Sequence, residues 1–269
     1  MTVRHTPYPD GTPCWIDLMV PDPRMAMDFY GALFGWDFAD QGDESGNYLL
    51  CSVGGHLVAG LGGSSPIREA PPVWTTYLAT SDVDATAARV SEAGGRVLIG
   101  PLDVMTRGRM AMVVDSTGAR FGLWQAGDTL GAQLTGVPSA LVWNECMTRD
   151  FEGAKEFYRR VFDHTVRELR EVEFDYATLV VGDRIVGGLG RFPDEVPADV
   201  PPLWMTYFGV TDTDATVARA TELGGSVVSP PTDSPYGRFA AVADNQGVAF
   251  SVITVAAEPD TEQRADSPS

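Results

Sequence analysis

The sequence predicts an α+β fold of four βαβββ units, and three observations carry that prediction. The chain repeats itself: CWIDLMVPDPRMAMDFYGALFGW, around Trp15, returns as VWNECMTRDFEGAKEFYRRVF, around Trp143. The later parts repeat more closely, PPVWTTYLATSDVDATAARVSEAGGRV from Pro71 as PPLWMTYFGVTDTDATVARATELGGSV from Pro201. So do GRMAMVVDSTGARFGLW from Gly108 and GRFAAVADNQGVAFSVI from Gly237. A shared order this long marks a duplicated fold unit. Within each copy an apolar strand precedes an amphipathic helix twice, and shorter Gly-broken strands follow each helix.

The first unit opens with a strand at Trp15–Val20. Asp22 is placed to cap the next helix, with Pro23 at its first position. Met25, Phe29, Leu33 and Phe34 recur at helical spacing and are expected to face the core. Gly35 ends the helix. Strands follow at Tyr48–Val53 and His56–Leu61 around Gly54-Gly55. The second unit starts at Trp74–Thr80. Its helix begins at Asp82 or Asp84 and stops at Gly94-Gly95. Strands are expected at Arg96–Ile99, Met110–Val114 and Phe121–Gln125, with Asp115 and Gly118 turning between the last two. Units three and four repeat this from Val142 and Trp204. Linkers fall at Gly63–Pro71, Ala126–Pro138 and Arg191–Pro201. The domains expected are 12–126 and 139–255, with 1–11 and 257–269 as flexible, polar termini.

Composition narrows the partners. The chain has 269 residues, 44% of them hydrophobic, and a net charge of −18. That is length for two domains, each with an ordinary core. The charge opposes nucleic acid and an anionic membrane surface, because both need basic residues. No apolar run approaches the roughly 20 residues of a membrane span, and the start lacks a signal-peptide core. Cys14, Cys51 and Cys146 have no metal spacing and read as reduced core residues of a cytoplasmic protein.

Two marks resemble a known family. One is the strand ending in Asp followed by a helix with Phe29, Tyr30, Leu33, Phe34 and Gly35, echoed by Phe157, Tyr158 and Phe162. The other is the D-x-x-G turn at Asp115/Gly118 and Asp244/Gly247. With the βαβββ repeat, from about residue 12 to 255, the chain resembles the vicinal oxygen chelate superfamily. That group includes glyoxalase I, extradiol dioxygenases, fosfomycin-resistance enzymes and bleomycin-binding proteins. The pattern is especially similar to actinobacterial two-domain glyoxalase-like antigen and hydroxylase proteins, some of them in aromatic polyketide pathways. The resemblance implies two glyoxalase-like domains with half-open antiparallel sheets, each wrapped into a cup whose concave face holds the ligand.

It also implies metal-ligand positions. These fall on Trp15 and Trp143, seven residues before Asp22 and Asp150, and on Thr75 and Met205, seven before Asp82 and Asp212. The last pair, four after the turn glycines, is Gly122 and Ser251. None is a good ligand, since a divalent ion needs several N, O or S donors within about 2.0–2.5 Å. His5, His56 and His164 share no spacing and read as surface residues. No metal and no other cofactor is therefore expected.

Strand alternation turns Trp15, Asp17 and Met19 inward, with Trp143, Glu145 and Met147 as their equivalents. Tyr77 and Tyr207, Gly122 and Trp124, and Ser251 and Ile253 share the parity of the ligand positions. Trp15, Tyr77 and Trp124 are expected as one aromatic wall, Trp143 and Tyr207 as the other; core packing is the plainer alternative. Tyr48 and Tyr176 are expected at a rim and Tyr236 on a covering loop. Asn144, of opposite parity, is expected to point away. Asp17 and Glu145 are candidate general acids or bases, with pairing to Arg109 or Arg238 as the structural alternative. Ser251 has no neighbouring His to activate it.

The leading expectation is a metal-independent protein that binds and transforms a bulky, polyketide-like aromatic molecule in secondary metabolism. One alternative is non-catalytic sequestration of a drug or metabolite. Another is a metal-dependent lyase or oxygenase with ligands from Asp17, Glu145 or Cys146. A monomer is consistent with the duplication, and a homodimer is the other possibility.

Overall fold

A computed structural model describes residues 3–63, 72–169 and 174–255. The first half runs β1 (Pro13–Val20), α1 (Pro23–Phe34), β2 (Asp37–Asp40), β3 (Leu49–Val53), β4 (His56–Gly63), β5 (Trp74–Ala79), α2 (Val83–Glu92), β6 (Arg96–Val104), β7 (Gly108–Val114) and β8 (Arg120–Ala126). The second half repeats that order as β9 (Leu141–Thr148), α3 (Phe151–Phe162), β10 (Thr165–Glu168), β11 (Tyr176–Val181), β12 (Arg184–Arg191), β13 (Leu203–Val210), α4 (Thr213–Glu222), β14 (Ser226–Ser234), β15 (Gly237–Ala243) and β16 (Ala249–Thr254). The result is the α+β architecture of four βαβββ units. Strands β2 and β10 are additions to the sequence expectation; each is short and largely exposed, so neither has a hydrophobic alternation to betray it.

Local chemistry explains the helix ends. The Asp22 carboxylate accepts the backbone N–H groups of Arg24 and Met25, Pro23 occupies the first turn, and Gly35 closes α1 at φ 69°. Asp82, Asp150 and Asp212 cap the other three helices in the same way. Met25 is a correction: it lies on the solvent side of α1, 42% exposed, while Ala26, Phe29, Tyr30 and Phe34 take the core face.

Each unit forms a mixed sheet in which the strand before the helix pairs in parallel with the last strand of the same unit. β1 pairs with β4, β5 with β8, β9 with β12 and β13 with β16. Antiparallel pairing of β1 with β5, and of β9 with β13, joins two units into one cup. The two cups meet where Leu203 of β13 pairs with Arg120 of β8.

The helix-side cores are shared differently. Phe29, Tyr30, Phe34 and Trp36 of the first unit pack with Phe208 and Phe250 of the fourth. Phe121 of the second unit packs with Phe157, Tyr158 and Phe162 of the third. Each such buried ring contributes about 1.5–3 kcal/mol. The D-x-x-G turns tie these cores together. Asp244 Oδ1 accepts the turn N–H groups of Gln246 and Val248, and its Oδ2 accepts the Tyr30 hydroxyl at 2.9 Å. Trp74 Nε1 donates to that same Tyr30 oxygen. Asp115, Tyr158 and Trp204 repeat the arrangement. The halves are thus interlocked through buried polar groups, because the motif Tyr of one half needs the motif Asp of the other.

The N-terminal segment departs from the loose leader expected of residues 1–11. Arg4 N–H donates to Gln133 O, Gly11 N–H to Ala79 O, and the buried Tyr8 hydroxyl to Ala132 O at 2.7 Å. His164 is a second correction. It is 3% exposed, not a surface residue, and its Nε2 sits 2.9 Å from Gly11 O. Residues 257–269, and the linker residues 64–71, lie outside the described residues. Among the described residues no helix is long and apolar enough to cross a membrane. All three cysteines are free and buried.

Candidate functional site

The floor of each cup carries one carboxylate ringed by aromatic donors. In the first cup, Asp17 Oδ2 accepts the hydroxyls of Tyr77 at 2.9 Å and Tyr48 at 3.4 Å. Trp15 Nε1 donates to the Tyr48 oxygen at 3.1 Å. In the second cup, Glu145 Oε1 accepts the Tyr207 hydroxyl at 2.6 Å, and Oε2 accepts Tyr176 at 2.6 Å and Trp143 Nε1 at 3.3 Å. Trp143 Nε1 also reaches the Tyr176 oxygen at 3.1 Å. The duplication has kept this constellation in both halves.

Glycines make the convergence sterically possible. Asp17 is in register with Gly60 of β4, and Glu145 with Gly188 of β12. A Cβ at Gly60 would occupy the place of the Tyr48 hydroxyl, and one at Gly188 that of Tyr176. These glycines were not singled out from the sequence; the signal was the matched AGLGG and GGLGR of β4 and β12. Gly122 does the same for Tyr77, whose ring lies over it, whereas Ser251 stands at the equivalent place in the second cup.

The phenols are held in the protonated form. Burial first, then the charge of Glu145, pushes Tyr176 and Tyr207 well above the ordinary phenol range. Tyr48 is raised likewise, by burial and then by Asp17. Each carboxylate therefore faces neutral hydrogen-bond donors.

Several sequence-selected residues lie elsewhere. Arg109 does not reach Asp17 or Glu145; it bonds Asp84 at 2.8 Å and Asp103 at 2.8 Å on the outer surface. Arg238 bonds Asp214 and Asp233 at the equivalent place. These hydrogen bonds raise both guanidinium pKa values and lower those of Asp84 and Asp214. The reason is strand register: Arg109 pairs with Asp103 across β6 and β7, and helix α2 brings Asp84 alongside. Tyr236 is 70% exposed in the turn between β14 and β15. Tyr48 and Tyr176 reach the floor, not only a rim. Trp15, Tyr77 and Trp124 are not opposite Trp143 and Tyr207 in one pocket; the two sets occupy separate cups. Asn144 points out of the cup but is buried, donating to Thr76 Oγ1 at 2.9 Å and Thr206 Oγ1 at 3.2 Å between the halves.

The two cups differ around their shared floor. Trp15, Tyr77, Met112 and Trp124 form a continuous buried cluster with Tyr8 and Ala132. In the second cup Trp143, Tyr176 and Tyr207 are half-buried above a buried Glu145 and Ser251.

The family's metal finds no donors at its usual places. Indoles at Trp15 and Trp143 and a hydrogen at Gly122 offer none, and Thr75, Met205 and Ser251 offer only hydroxyls and a thioether, weak ligands for a divalent ion. Among the described residues no three His, Cys, Asp or Glu side chains converge. The residues present do not fit the group.

A family model described as the Glyoxalase/Bleomycin resistance protein/Dioxygenase superfamily matches residues 14–123 and 141–252. "Putative glyoxylase CFP32" of Mycobacterium bovis is 39% identical over 257 residues, covering 93% of this chain and 97% of its own. The anthracycline biosynthesis protein DauV of Streptomyces sp. is 38% identical, with 92% and 94% covered. Among solved structures, a Mn(II)-bound glyoxalase from Novosphingobium aromaticivorans superposes with a TM-score of 0.63 at 16% identity, over 91% of this chain and 82% of that one. At that identity the likeness concerns the fold.

Proposed function

The chain belongs to the Glyoxalase/Bleomycin resistance protein/Dioxygenase superfamily, and we propose that it binds a bulky, polyketide-like aromatic molecule without a metal ion and transforms it by proton transfer. The observation that carries this reading is the Trp–Tyr–carboxylate cluster on the face that carries the family's metal-ligand positions, with Trp143 at one of them. Rings supply flat apolar surface for a planar ligand, worth about 0.5–1.5 kcal/mol per stacked pair beyond area. Asp17 or Glu145 takes a proton from the ligand and returns it at another atom, a step needing no oxidant. DauV, named for anthracycline biosynthesis, supports a polyketide ligand and a place in secondary metabolism. Three free cysteines accord with a reducing cytoplasm.

Purified protein equilibrated with Mn(II), Fe(II), Ni(II) and Zn(II) tests the metal-free part; one tightly held ion per cup sinks it. Incubation with aromatic polyketides followed by product analysis tests the chemistry. Glu145→Gln is expected to lower turnover about a hundredfold or more while changing binding only a few-fold. A second reading, sequestration without turnover, is favoured by the engagement of each carboxylate by phenol donors. Binding without any product in the wild-type chain selects it.

A further inference from the structure

We infer that the second cup alone is the ligand site, and that it selects a planar aromatic ligand with a hydroxyl that donates to Glu145 Oε1. The inference rests on the aromatic-ligand reading above and deepens it.

The first cup is filled by its own side chains. Its rings join Tyr8 from the N-terminal segment and Ala132 from the segment between the halves in one buried cluster. That cover is bonded down: Trp124 Nε1 donates to Thr129 O at 3.0 Å, Gln133 N–H to Leu57 O at 2.7 Å, and Leu57 N–H to Gln133 Oε1 at 2.9 Å. A ligand would have to displace a close-packed core of Trp15, Tyr77 and Trp124, and such interiors do not yield space without loss of stability.

Around the retained Trp143 and Tyr207, the second cup has two smaller neighbours. Strand register places Ile253 where Trp124 stands, and Ala241 where Met112 stands. Trp143 and Tyr207 are left half-buried where Trp15 and Tyr77 are buried, and neither belongs to a hydrophobic cluster. Half-exposed aromatic surface beside a buried carboxylate is what a planar ligand would cover.

The hydrogen-bond inventory specifies the ligand's polar group. A carboxylate oxygen accepts about two hydrogen bonds. Oε2 takes two, from Tyr176 and Trp143, whereas Oε1 takes one, from Tyr207. The remaining position on Oε1 calls for a donor. The Tyr176 and Tyr207 protons are already committed to Glu145, so a hydroxyl on the ligand completes the set.

The test uses the full chain labelled with fluorotryptophan, with the fluorine signals of Trp15 and Trp143 assigned through Trp15→Phe and Trp143→Phe. A small neutral nitroxide is expected to broaden the Trp143 signal several-fold more than the Trp15 signal. Equal broadening overturns the closed first cup. A dihydroxyanthraquinone with outer-ring hydroxyls, below its own pKa, is then titrated against unsubstituted anthraquinone. One equivalent is expected to bind per chain, to shift Trp143 and not Trp15, and to bind roughly tenfold tighter than anthraquinone, about 1.4 kcal/mol. Two equivalents, or a shift at Trp15, overturn the assignment to the second cup while sparing the aromatic-ligand reading. Equal affinities overturn the hydroxyl. No binding of either quinone overturns the aromatic-ligand reading itself and the ligand class with it.

Discussion

The two cups begin from one plan and end in different states. Both carry a tryptophan, a carboxylate two residues later, and two tyrosines whose hydroxyls meet that carboxylate. In the first cup a second tryptophan, Met112, Tyr8 and Ala132 complete a buried cluster. In the second, with Ile253 and Ala241 alongside, Trp143 and Tyr207 stay half-buried where Trp15 and Tyr77 are covered. A motif therefore does not decide by itself whether it is core or pocket. The volume of the side chains around it decides, because a concave sheet face either fills to interior density or stays open.

The largest effect that separates the cups is expected from truncating their first tryptophans. Trp15→Ala removes a ring at 7% exposure from a filled cluster and is expected to cost about 3–5 kcal/mol in denaturant unfolding. Trp143→Ala, from a half-buried place, is expected to cost about 1 kcal/mol. Equal losses break the comparison.

The N-terminal segment over the first cup is anchored to the second half at Gly11 by His164, which makes its hold pH-dependent. Burial lowers the His164 pKa from 6.5 to about 4. The native ring stays neutral where the unfolded chain takes up a proton. Stability present above about pH 6.5 is thus lost as pH falls toward about 4, by about 3 kcal/mol at most. Chemical denaturation across that window reads the slope, and His164→Gln is expected to flatten it. An unchanged slope in the variant rules out this anchor as the source.

Next in size are the buried tyrosines that interlock the halves. Tyr158→Phe leaves the Trp204 N–H without its acceptor and takes the hydroxyl donor from Asp115 Oδ2, and is expected to cost about 1–3 kcal/mol. Tyr30→Phe repeats the deletion in the other core and is expected to match it within about 1 kcal/mol. A large difference would show that the two cores, like the two cups, are not energetically equivalent.

The smallest effect tests the volume argument directly. Ser251→Gly gives the second cup the residue of the first, and lets the Tyr207 ring settle toward β16 as Tyr77 does over Gly122. Stability is expected to change by less than about 1 kcal/mol, while nitroxide access to Trp143 falls. Unchanged access would mean that Ser251 does not hold the ring up.

Much of this was legible in the residues. The repeat and the alternation of Trp15–Asp17 and Trp143–Glu145 placed both carboxylates on concave faces, since side-chain direction in a strand has a period of two. The capping aspartates marked the helix starts because their carboxylates serve backbone donors within three residues. What failed was long-range. The Arg109 and Arg238 partners depended on which strands lie side by side. The burial of His164 depended on a segment that arrives from Gly11, far away in sequence.

The sequence by itself determined the four βαβββ units, the duplication and the loss of the family's metal donors, because these follow from local periodicity and from residue type at aligned positions. Only the tertiary structure decided that Tyr48, Tyr77, Tyr176 and Tyr207 turn their hydroxyls onto the two carboxylates, and that one cup fills while the other stays open. Those outcomes depend on glycines in neighbouring strands and on the summed volume of side chains brought together from distant parts of the chain, quantities that no single stretch of sequence contains.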